Sequence, residues 1–129
     1  MKEKRDLLNV YLRTNVAPIL IDFLESKDIP NSIILQADIS KNELVGHYEG
    51  INYCPPNWYK KLMEDINKFV IVIEDLDVIP QNEQSKFIEI LKYKQVSTFE
   101  IPEEYRIIIT TKNKKNISEE IQSLIAIME

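Results

Sequence analysis

The sequence predicts an α/β domain of three layers, αβα, with a short, mainly parallel sheet between helices. Three observations predict it. The first is Phe69-Val70-Ile71-Val72-Ile73, an apolar and mostly β-branched run that ends in three acids, Glu74, Asp75 and Asp77. A continuous apolar run reads as a strand buried on both faces, the mark of a parallel sheet. The second is a pair of further apolar runs at residues 32–37 and 106–111. The third is that segments with three- and four-residue apolar spacing lie between these runs. Strands that alternate with helices imply right-handed crossovers and a parallel sheet covered on both faces.

Taken in order, the elements are these. Between residues 4 and 26, Leu7, Leu8, Tyr11, Leu12, Val16, Ile19, Leu20, Phe23 and Leu24 recur at helical steps and predict an amphipathic helix. Pro18 lies inside it and should kink or divide it. Asp28-Ile29-Pro30-Asn31 predicts a turn before the strand at residues 32–37. Residues 38–56 form a polar segment that holds both glycines, Gly46 and Gly50, together with His47, Tyr48, Tyr53 and Cys54. Pro55-Pro56-Asn57 opens a helix to about residue 67, with Trp58, Leu62 and Ile66 on one face. The acid-tipped strand follows. Pro80-Gln81-Asn82 predicts a turn, residues 83–93 a helix carrying Phe87, Ile90 and Leu91, and residues 96–101 a short extended element. After the strand at 106–111, Ser118 is placed as N-cap of a last helix that begins with Glu119 and Glu120.

With 129 residues the chain suffices for one domain, spanning 1–129, and not two. Hydrophobic content of 44% and charged content of 29% are ordinary for a globular protein, so a folded chain is expected. Two glycines exclude a glycine-rich phosphate loop, which needs glycines at fixed spacings. A net charge of −5 with no long basic block disfavours nucleic acid as a partner. Cys54 is the only cysteine and His47 the only histidine, which argues against a disulfide within the chain, a thiolate cluster and most zinc sites. No apolar run approaches membrane-spanning length, and the first residues are charged rather than signal-like, so a cytoplasmic location and no membrane partner are expected.

Three segments between residues 33 and 113 resemble an AAA+ ATPase core of the dynein-related, midasin and MoxR-like branch. Leu35-Gln36-Ala37-Asp38 followed by Glu43-Leu44-Val45-Gly46-His47-Tyr48 is similar to that branch's second strand and the element after it. Val70 to Asp77 looks like the Walker B strand, with Glu74 and Asp75 in inverted order. Tyr105 to Asn113 is similar to the sensor-1 strand. The resemblance implies a P-loop NTPase-like fold, with Glu74 and Asp75 as Walker B-like residues that hold Mg²⁺ and activate water. Thr110 and Asn113 would be sensor-1-like residues. It also implies what is missing: a Walker A loop, the helical lid and, by this reading, the first strand. Without the loop's N–H donors and lysine, carboxylates at a strand end have nothing to hold a triphosphate.

The expected function is therefore that of a degenerate AAA+-like protein. It would act as a binding or regulatory module on a protein partner such as a full AAA+ chain, or by self-association, with no cofactor. The alternative is an ATP-binding or hydrolysing fragment completed in trans by a chain that carries the phosphate loop, using Mg-ATP. A core without its first strand would leave a sheet edge or gap that a partner must cover. Lys112, Lys114 and Lys115 read as a solvated basic turn, and Tyr53, Pro55, Pro56 and Trp58 as a core cover or an interface anchor. A Cys54–His47 nucleophile pair lacks an orienting group in the sequence pattern.

Overall fold

The computed structural model of the chain describes residues 6, 8–10, 12, 13, 17–97 and 99–127. Leu7, Tyr11 and Val16 of the expected first helix lie outside the described residues. Five strands form one all-parallel sheet: β1 (Ile19–Ile21), β2 (Ser32–Gln36), β5 (Val70–Glu74), β8 (Arg106–Thr110) and β9 (Ala126–Ile127), in the order β2-β5-β8-β1-β9. Two antiparallel ribbons stand beside it, β3 (His47–Glu49) with β4 (Asn52–Cys54), and β6 (Gln95–Val96) with β7 (Phe99–Glu100). The α-helices that lie wholly within the described residues are α1 (Lys41–Val45), α2 (Asn57–Glu64), α3 (Ile88–Tyr93) and α4 (Glu119–Gln122). A 3₁₀ helix at Gln81–Phe87 runs directly into α3.

Side-chain alternation along the strands divides the core in two. Leu20, Leu35, Ile71, Ile73, Ile107 and Ile109 face one side, with Leu44, Trp58, Leu62, Phe87, Ile90 and Ile121 from the helices. Ile19, Ile21, Val70, Val72 and Ile108 face the other, where Leu8 and Ile29 cover them and Leu12 packs alongside. Residues 8–10, 12 and 13 are helical. Both sheet faces are thus buried, which is why β5 reads as an unbroken apolar run.

Four expectations change. The single helix across residues 4–26 does not hold at its C-terminal half: Ile19-Leu20-Ile21 is a strand, paired with β8 on one side and β9 on the other. Pro18 opens it, a position where a strand tolerates the missing N–H, and its carbonyl accepts the Ala126 N–H at 2.8 Å. The expectation of a core without its first strand is therefore wrong, and with it the argument that a gap in the sheet calls for a partner. The last helix is one turn long and is followed by β9, a fifth strand the pattern did not reveal. The polar segment at 38–56 holds α1 and the β3–β4 ribbon rather than a loop alone.

Candidate functional site at the carboxyl edge of the sheet

The connection leaving β1 runs across β8 and β5 to β2, whereas the connection leaving β8 runs the other way to β9. Open α/β sheets bind ligands where outgoing connections diverge, in the crevice beyond the strand carboxyl ends. A cleft of about 470 Å³ lies there. Its wall comes from the segment after β1, from Glu74 and Asp75 at the end of β5, and from Thr110, Thr111 and Lys112 at the end of β8.

Hydrogen bonds lock the three strand ends together. Thr110, 3% exposed, accepts the Asp75 backbone N–H on its Oγ1 at 3.0 Å, and the same oxygen is 3.4 Å from Ser26 Oγ. The Thr111 N–H donates to the Ile21 carbonyl at 3.1 Å. Asp75 has φ 52° and ψ 52°, the left-handed conformation that aspartate visits more readily than most residues. This turns the chain sharply off the end of β5. Asp77 leaves the cleft wall: its Oδ1 accepts the Lys112 N–H at 3.2 Å.

Beneath this edge, fully buried Gln84 acts as a clasp. Its Nε2 donates toward the carbonyls of Asn116 at 2.7 Å, Ile79 at 3.2 Å and Leu76 at 3.3 Å, and its Oε1 accepts the Ser118 N–H at 2.8 Å. It fastens the loop after β5 to the loop after β8.

Of the expected site residues, Glu74, Asp75 and Thr110 come together in the cleft, and Asn113 does not. The Asn113 side chain instead caps the 3₁₀ helix Lys114–Asn116, accepting the Lys115 N–H at 3.1 Å. The pattern missed the contribution of β1. Asp22, Glu25 and Lys27 line the cleft, and Asp22 pairs with Lys114 at 3.1 Å. The signal available for it was Ile-Leu-Ile running straight into an acid, the same arrangement as at the end of β5.

Four carboxylates, those of Asp22, Glu25, Glu74 and Asp75, thus border a cleft that two lysines, Lys27 and Lys112, also line. Glu74 and Asp75 are the residues that would hold Mg²⁺, an ion satisfied by one or two carboxylates plus water. The segment after β1 contains no glycine, and its 3₁₀ helix, Ser26–Asp28, is three residues long. It offers neither a glycine-rich run of N–H groups nor a long helix N-terminus to an anion. No helix among the described residues is long and apolar enough to cross a membrane. A scan against protein-family models finds no match, and a search of curated proteins finds none.

Proposed function

We propose that this chain is a degenerate AAA+-like core that acts by binding another protein rather than by turning over nucleotide. The observation that carries this reading is the segment between β1 and the Ser26–Asp28 turn. It lines the crevice beside Glu74, Asp75 and Thr110, where a phosphate cradle would have to lie, and it brings Asp22 and Glu25 in place of glycine N–H donors. Carboxylates on both sides of the crevice repel a triphosphate, the glycine N–H cradle that offsets this repulsion in nucleotidases has no counterpart in the segment, and the lysine that lines the crevice there, Lys27, is paired with Glu25 at 3.2 Å. Isothermal titration with Mg-ATP should give no heat of binding. Micromolar affinity would overturn the reading.

The convergence of Glu74, Asp75 and Thr110 on one cleft favours a second reading, a nucleotidase completed in trans by a chain carrying the phosphate loop. In that case the incoming loop has to displace residues 22–26, because this chain supplies its own β1 and the segment after it. Asp75→Asn separates the two. A binding module keeps its partner affinity, whereas a nucleotidase loses turnover by orders of magnitude.

A further inference from the structure

The β3–β4 ribbon carries the chain's only histidine and only cysteine, and the tertiary structure brings them together. His47 pairs directly with Cys54, and Glu49 with Asn52. Directly opposed residues share a face of an antiparallel pair, and so do residues two apart on one strand. His47, Glu49 and Cys54 therefore project from one face. Tyr48 and Tyr53 project from the other, where their rings meet at 5.3 Å and Tyr53 stacks on Phe99 at 5.5 Å. Their contacts, with the Tyr53 hydroxyl bonded to the Val45 carbonyl, hold the ribbon in place.

An imidazole nitrogen, a carboxylate oxygen and a thiol sulfur consequently lie within 4.8 Å of one another. His47 Nε2 is 3.4 Å from Glu49 Oε1. Two ligands on a tetrahedral zinc ion, each bonded at about 2.0–2.1 Å, stand about 3.4 Å apart, so this pair already has ligand spacing. A thiolate bonded at about 2.3 Å stands about 3.5 Å from each, and closing the sulfur onto the ion takes little more than about 1 Å. The side chains of His47 and Glu49 are 54% and 73% exposed, so they are reachable from solvent and free to make that adjustment.

We propose that His47, Glu49 and Cys54 form a zinc site with three protein ligands and a fourth position taken by water. The donor set decides the metal class. Thiolate with imidazole suits zinc and other borderline-soft ions, whereas magnesium and calcium take oxygen ligands. Three protein ligands leave the coordination position that structural zinc sites close.

The test is a titration of the whole chain with Zn²⁺ against a chromophoric chelator, paired with Co²⁺ absorption spectroscopy. One equivalent should bind per chain. Bound Co²⁺ should show a thiolate-to-metal charge-transfer band and the intense visible bands of four-coordination. Loss of outer-shell partners alone weakens metal affinity about 10–100-fold, so Cys54→Ser and His47→Ala should each cost at least about 100-fold, and Cys54→Ser should erase the charge-transfer band. Both variants should keep the metal-free melting temperature, which separates a lost ligand from a lost fold. Co²⁺ binding without charge transfer, or unchanged zinc affinity in either variant, would overturn the proposal.

Discussion

The hydroxyl of Thr110 accepts the backbone N–H of Asp75 at 3.0 Å, so the end of β8 holds the sharp turn that follows β5. The same oxygen approaches Ser26, 84 residues away in the chain. Thr110→Val keeps the shape and removes the acceptor, leaving a partly buried N–H without its partner. The expected cost is about 1–3 kcal/mol in urea denaturation, and Thr110→Ser should recover most of it. Equal stability of the valine and serine variants would show that the hydroxyl does not hold the edge.

Gln84 should be the least replaceable polar residue of the fold. Gln84→Met fills the same space but removes the Gln84 bonds to the Leu76 and Asn116 carbonyls and to the Ser118 N–H, and leaves the Ile79 carbonyl only its longer bond from Asn116. Each buried group left unsatisfied costs about 1–3 kcal/mol, so a total above about 3 kcal/mol is expected, read as a large fall in Tm. Gln84→Glu should also destabilise at neutral pH, since a carboxylate cannot donate to carbonyls. Part of that loss should return at acidic pH, where the carboxyl regains a proton.

Gly46 closes α1 with φ 85° and ψ −171°, a region open almost only to glycine. A Cβ there would lie 2.4 Å from the Cys54 carbonyl oxygen and 2.7 Å from the Tyr53 hydroxyl. Gly46→Ala should cost more than about 2 kcal/mol and loosen the ribbon. Hydrogen exchange should show faster exchange confined first to residues 47–54. A neutral substitution would contradict the close approach.

Leu20 tests the first strand directly. It is fully buried, between β8 and β9. Leu20→Ala should cost about 2–5 kcal/mol, and the amides of residues 19–21 should be among the slowest to exchange. Rapid exchange there would be incompatible with a central strand.

Alkaline stability should reflect two opposing effects. Burial raises the pKa of Tyr53 and of Tyr59 above the usual 10.0. The native state then holds protons the unfolded chain has lost, so this stabilisation is complete below pH 10.0 and disappears as pH rises through the folded values. Burial, reinforced by the nearby Arg106 charge, lowers the pKa of Lys94 below 10.5. There the unfolded chain holds the extra proton, and stability rises with pH between the folded value and 10.5. A Tyr53→Phe/Tyr59→Phe variant should therefore gain stability toward pH 10.5 relative to the parent, and Lys94→Met should decline more steeply. Urea midpoints followed across this range check both, and curves parallel to the parent's would refute the assignment.

By itself the sequence determined the α/β class and the three strands that carry it. Residues 32–37, the run before Glu74, and residues 106–111 were legible to within a residue or so as β2, β5 and β8. A strand buried on both faces must be continuously apolar, so the information is local. The acids that end β5 were legible for the same reason. Only the tertiary structure decided that Ile19-Leu20-Ile21 is a strand. Three apolar residues fit a helical stripe as well as a buried strand, and what selects the strand is backbone pairing with β8 and β9, segments about ninety or more positions away. The same holds for the cleft, where Asp22, Glu74 and Thr110 meet through strand order rather than spacing. It holds also for the ribbon, where a lone histidine and a lone cysteine become neighbours because antiparallel register sets them on one face.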